Sequence, residues 1–161
     1  MSAVIRCATR DDAEVLADLL RRAFGDVAER FGLSRDNAPT HASNCEPGWI
    51  HSDFERGVDY FVASNADVVI GCIALEPAAE AVAYLERLGV SPEQRHQGIG
   101  AALVRHSVER ARSAGVRRVS VGVIAEHSEL VAWYERQGFA LTETRRFPHL
   151  PFTVSYLERL V

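Results

Sequence analysis

Residues 88 to 100 read Leu-Gly-Val-Ser-Pro-Glu-Gln-Arg-His-Gln-Gly-Ile-Gly, an apolar strand end, a polar loop and a Gly-x-Gly that opens a long amphipathic helix. The helix runs from Ile99 to about Ala114 and is closed by Gly115. Arg117 to Ala125 then alternates Val119, Val121 and Val123 with Ser120 and Gly122, the pattern of a buried strand. A strand, a crossover helix and a second strand in this order make the two strands parallel within one sheet. The junction also carries chemistry. A strand that ends in a basic, glycine-rich loop before a helix leaves several backbone N–H groups unpaired at the positive end of the helix dipole, and a diphosphate fits there.

The rest of the chain arranges itself around that unit. Ile5 to Ala8 reads as a first strand, and Thr9 with Asp12 as a helix N-cap signal. Ala13, Leu16, Leu20, Ala23, Phe24, Val27 and Phe31 recur at helical steps, so a helix follows, with a break expected near Gly25. Ser34 to Gly48 is a polar loop, and Trp49 to Arg56 a short second helix. Asp59 to Ala63, Val68 to Leu75 and Val82 to Val90 form an antiparallel meander, its first hairpin turning at Ser64 to Asp67. A helix from Ser128 to Gln137 ends at Gly138, and two terminal strands flank Pro148 to Pro151. The expected fold is a single α/β domain over residues 1–161. Its mixed sheet has about seven strands, an antiparallel meander plus a parallel crossover pair, flanked by about four helices.

Composition narrows the function classes. No stretch approaches the ~20 apolar residues of a membrane span, and Met1 to Arg6 lacks a signal-peptide core, so a soluble cytoplasmic protein with no membrane partner is expected. Cys7, Cys45 and Cys72 are widely spaced and odd in number, which reads as reduced thiols and no metal site. The net charge is −4, yet Gln94 to Arg118 carries +5 and the remainder −9. One polyanionic ligand beside an acidic remainder fits this better than nucleic-acid binding. A solvated arginine-rich helix face explains Arg105, Arg110 and Arg112 equally well.

Three segments then converge. Arg95-His96-Gln97-Gly98-Ile99-Gly100 follows a strand ending in Val90; the strand Val119 to Val123 follows the crossover helix; and Trp133 to Phe139 contains Tyr-x-x-x-Gly-Phe. In this order and spacing, Tyr84 to Phe139 resembles the GNAT superfamily of acyl-CoA-dependent N-acyltransferases. A dinucleotide-binding reading fails, because Arg95 and Leu103 stand where its outer glycines are needed. Two positions depart from the family pattern: His127 stands where an Asn is common, seven residues before the tyrosine, and Leu130 where an Ala is common.

The resemblance implies acetyl-CoA as co-substrate and a primary amine of a small molecule or peptide as acceptor, by direct attack in a ternary complex. Backbone amides of Gln97, Gly98, Ile99, Gly100 and Ala101, with His96 and helped by Arg95, would hold the pyrophosphate. Backbone groups of Leu88, Gly89 and Val90 would pair with the pantetheine arm and polarise the thioester oxygen. His127 would touch the same arm. Tyr134 is the candidate general acid for the departing thiolate, or else packs with Trp133 and Phe139. Glu86 is the candidate base, with a water as the alternative; a two-residue period puts Tyr84, Glu86, Leu88 and Val90 on one face and Arg87 on the other. Tyr84, His41, His149 and Phe152 are candidate acceptor contacts. A non-catalytic acyl-CoA sensor or interaction module is the alternative function, and a monomer or a homodimer suits the chain equally.

Overall fold

The structure, a computed structural model, describes residues 3–161; Met1 and Ser2, which opened the stretch read for a leader, lie outside it. Seven strands form one sheet: β1 (Val4–Cys7), β2 (Asp59–Asn65), β3 (Val68–Pro77), β4 (Val82–Val90), β5 (Arg118–Ile124), β6 (Ala140–Arg146) and β7 (Thr153–Leu160). Four helices flank it: α1 (Ala13–Phe31), α2 (Pro47–Glu55), α3 (Ile99–Ser113) and α4 (Ser128–Arg136). The strand order is β1-β2-β3-β4-β5-β7-β6, and β4 and β5 are its parallel pair. The last strand thus inserts between β5 and β6 rather than continuing outward.

Alternation along the strands loads both faces. Leu16, Leu19 and Leu20 of α1 and Ile50 of α2 pack on Tyr60, Val62, Cys72 and Ala74. On the other face Leu103, Val104 and Val108 of α3 pack on Phe61, Ile73, Leu85, Val119 and Val121, continuous with Tyr134 and Leu157. The break expected at Gly25 does not occur. Gly25 sits mid-helix with open space around it, and the long apolar stripe carries α1 across it until Gly32 ends the helix in the left-handed region. The first hairpin turns on Ala66 and Asp67, both at positive φ (50° and 66°), the geometry of a primed two-residue turn that favours Asn or Gly. Ala66→Asn is expected to stabilise the fold by up to ~1 kcal/mol, read as a rise in urea midpoint with unchanged slope.

Two irregularities in β4 shape the site. β4 and β5 pair only from Val82 to Leu85 against Arg118 to Val121, so beyond Leu85 the strands diverge and the sheet opens as a wedge. Within the wedge, Cys72 pairs with Gly89 and Ala74 with Glu86, which leaves Ile73 alone opposite Arg87 and Leu88. This is a β-bulge, and Arg87 takes φ 52° to form it. The extra residue shifts the side-chain alternation. Glu86 and Arg87 both face α2, while Leu88 and Val90 join the core beneath α3. The single face expected for Tyr84, Glu86, Leu88 and Val90 is therefore broken at the bulge, and Arg87 lies on the same side as Glu86.

Candidate active site

The wedge opens into a cleft of about 470 Å³, walled by α1 from Ala23 to Arg30, the end of β4, the loop into α3, and α4. Leu88, Gly89 and Val90 line it, and the strand edge they present toward β5 has no strand partner. His96, Gly98, Ile99, Gly100 and Ala101 line its floor. Gly98 caps α3 at φ 81°, a conformation glycine adopts without strain, so the chain can turn sharply and aim the first N–H groups of α3 into the cleft. Gly100 faces the Trp133 indole; a Cβ there would stand 3.4 Å from the ring. The same spot admits a close approach to backbone, which a phosphate requires.

The predicted donor residues are not all alike. Gln97 lines a separate depression with Arg105 and His106 on the outer side of α3, so its side chain does not face the cleft. Arg95 lines the cleft in an ion pair: it donates to Asp26 at 2.6 Å and to the Ala23 carbonyl at 2.6 Å, tying the phosphate loop to α1. That guanidinium holds the Asp26 carboxyl below its ordinary range. His127 precedes α4 with Nδ1 buried and without a hydrogen-bond partner, its ring 5.6 Å from Phe31. Burial lowers its pKa, favouring the neutral imidazole. Next to it, Glu129 accepts two bonds from Arg30 at 2.6 and 3.0 Å, joining α4 to α1 beside the cleft. Arg30 pulls that carboxyl down to about 2.

Tyr134 is 4% exposed and packed edge-on against Trp133 (5.0 Å) and Phe139 (5.6 Å). Burial raises its pKa, so the phenol stays protonated and is a donor rather than a base. Its neighbour Trp133 lines the cleft, whereas Tyr134 itself does not. On the opposite side of the wedge, Glu86 is half-buried and faces α2. Burial, and then the hydrogen bond and charge of Glu76, push its carboxyl up to about 7. A carboxylate at this value is suited to exchange protons near neutral pH.

Around Glu86 stands a polar network absent from the sequence expectations. Asp53, 5% exposed on α2, accepts from the Tyr60 hydroxyl (2.6 Å), Arg87 (2.5 Å) and Arg56 (2.6 Å). Arg56 also donates to Glu76 on β3, and Arg87 lies over the Trp49 ring. One sequence signal existed: Asp53 stands three residues after Ile50, an acid on the apolar face of a short helix. The expected acceptor contacts are scattered. Tyr84 is 43% exposed on the Glu86 face, in register with Glu76 and Ser120. His41 caps a 3-10 turn through Ser43 and packs edge-on against Phe24, which lines the cleft. His149 is exposed beside Phe147 in the β6–β7 connection, and Phe152 is half-buried near it. Cys72 is fully buried, and its thiol is pushed up to about 12, which makes it a poor nucleophile.

A split parallel pair, a bulged strand with a free edge and a glycine-rich helix start shape one cleft in a mixed α/β sheet. The acetyltransferase (GNAT) family model matches residues 16–139, and the chain belongs to that family. An amino-acid acetyltransferase of Pseudomonas paraeruginosa is 32% identical over 96 residues, 58% of this chain and 21% of the relative. A chloroplastic GCN5-related N-acetyltransferase 6 of Arabidopsis thaliana is 33% identical over 79 residues, 49% of this chain and 27% of the relative. The chain thus spans about a fifth to a quarter of the length of these curated relatives. Among solved structures, the PaiA N-acetyltransferase of Thermoplasma acidophilum in complex with coenzyme A superposes with a TM-score of 0.84 at 20% identity over all of both chains. The ribosomal-protein-S18-alanine N-acetyltransferase of Escherichia coli superposes at 0.79 with 18% identity, covering 99% of this chain and 94% of the other. Likeness at that identity establishes the fold. Among the described residues no helix is long and apolar enough to cross a membrane.

Proposed function

We propose that residues 1–161 act as one N-acetyltransferase domain, moving an acetyl group from acetyl-CoA to a primary amine within a ternary complex. The observation that carries this reading is the wedge itself: a free strand edge and a helix N-terminus line one cleft, with a near-neutral carboxyl on the adjoining strand face. Acetyl-CoA supplies an activated acyl group as a thioester. The N–H groups of Gly98 to Ala101 bind its pyrophosphate, and the unpaired edge from Leu88 to Val90 pairs with the pantetheine arm and polarises the thioester oxygen. Glu86 takes a proton from the acceptor ammonium, directly or through water, freeing the lone pair for attack. The C–N bond forms, the C–S bond breaks, the departing sulfur gains a proton, and the second amine proton passes to water, from which the group that protonated the sulfur is restored. Tyr134 is assigned as the donor to that sulfur. His127 contacts the arm from α4, while Tyr84 and the Phe152 connection border the acceptor side. The acidic remainder of the chain, −9 outside residues 94–118, favours a cationic acceptor.

The test is acetyl-CoA turnover on a panel of small amines and peptide N-termini, followed by thiol release. Turnover on at least one acceptor supports the reading. Tight CoA binding without turnover across the panel replaces it with a sensor module. Tyr134→Phe is expected to lower kcat about tenfold with CoA affinity unchanged, measured by the same thiol assay and by calorimetry.

A further inference from the structure

The geometry points to Glu76 and Arg56 as positioning residues for Glu86: Glu76 sets its carboxylate beside Glu86 on the same sheet face, and Arg56 fixes Glu76 from the end of α2. This deepens the transfer reading and rests on it for its catalytic half. Glu76 pairs in register with Tyr84 and Ala74 pairs with Glu86, so the two glutamates are diagonal neighbours on one sheet face. Beside burial, the nearness of Glu76 holds the Glu86 carboxyl above its ordinary range. Two carboxyl groups so placed ionise together only at a cost. Arg56 donates to Glu76, which pairs that carboxylate with a cation.

Arg56 is itself held. Its other terminal nitrogen donates to the buried Asp53 at 2.6 Å, and Asp53 also accepts from Arg87 and Tyr60. The groups facing Glu86 are therefore Glu76 from β3, Arg87 and Tyr84 from β4, Asp53 and Arg56 from α2, and Tyr60 from β2; Ser120 and Gly122 of β5 add no charge. Asp53 and Glu76 balance Arg56 and Arg87. With Glu86 protonated the cluster is neutral; with Glu86 ionised it is one cation short. An acceptor ammonium supplies that cation, and after it hands its proton to Glu86 the cluster is neutral again. The network so selects an amine that arrives charged and leaves the reacting nitrogen neutral.

The sign of each perturbation follows. Glu76→Gln removes a negative neighbour and offers Glu86 an amide donor, so the Glu86 titration falls; Arg56→Gln removes the cation that offsets Glu76, so it rises. Carbon-13 NMR of glutamate side-chain carboxyls on the full chain without acceptor reads this directly, with Glu86→Gln assigning the resonance by its loss. The expected result is a shift of at least about one pH unit downward in Glu76→Gln and an upward shift in Arg56→Gln. For any panel amine that turns over, the acid limb of kcat/KM moves in the same opposed directions. An unmoved Glu86 titration in Glu76→Gln, shifts of the same sign in both variants, or an acid limb that stays in place overturns the proposal. Lack of wild-type turnover bears on the transfer reading alone, since the NMR arm needs no acceptor.

Discussion

Asp53→Ala is expected to be the most destabilising single change at the site, at about 3–5 kcal/mol, because it strips the counter-ion from a guanidinium that stays mostly shielded from water. The Asp53 side chain is 7% exposed and that of Arg87 22%. Asp53 ties three elements: its own helix α2, Tyr60 on β2 and Arg87 at the β4 bulge. Truncation leaves Arg87 with the Tyr60 hydroxyl and the Trp49 face, neither of which carries a full negative charge. The bulge then loses the contact that holds Arg87 at positive φ. Thermal unfolding checks this, with a fall in Tm of roughly 10 °C expected for a chain of this size. Asp53→Asn keeps the shape and part of the hydrogen bonding and is expected to lose less. Equal stability of Asp53→Ala and the wild type would mean that the ion pairs are solvated and do not hold α2 to the sheet.

The contrast between what the chain announces and what it conceals is local and physical. The crossover from β4 through α3 to β5 was legible because it combines a strand end, a glycine pair, a 3.6-residue stripe and an alternating strand in adjacent sequence. The Gly98 turn was legible for the same reason. The bulge was not. A two-residue period predicts Arg87 on the far face, and no residue type at 87 signals positive φ; the conformation comes from Ile73 meeting two residues across the ladder and from Asp53 pulling on the guanidinium. The Glu86 network was hidden because Asp53, Glu76 and Arg87 come from three separated segments that only the sheet brings together. Arg95 illustrates a further limit. The loop chemistry suggests a free cation for phosphate, but the partner that engages it, Asp26, lies 69 residues earlier on a helix whose continuity past Gly25 the glycine itself argued against.

Gly100→Leu is expected to separate folding from ligand binding at the same junction. Gly100 is the second residue of α3 and lies between the helix start and the Trp133 indole, both of which line the cleft. A Cβ at 3.4 Å from the ring is close to ordinary contact, and leucine is a better helix former than glycine, so the variant should fold as stably as the wild type. Its isobutyl group, however, has only the space between Trp133 and the cradle to occupy. That keeps a phosphate from reaching the N–H groups of Gly98 to Ala101. Loss of about two charge-assisted hydrogen bonds corresponds to roughly a hundredfold weaker CoA binding. Gly100→Ala adds only the tolerated Cβ and is expected to bind within a few-fold of wild type. Calorimetry with CoA, alongside thermal unfolding of each variant, reads both quantities. Undiminished CoA affinity in a folded Gly100→Leu protein would move the phosphate site away from this helix start. The wedge between β4 and β5 would then have to hold the donor through the strand edge alone.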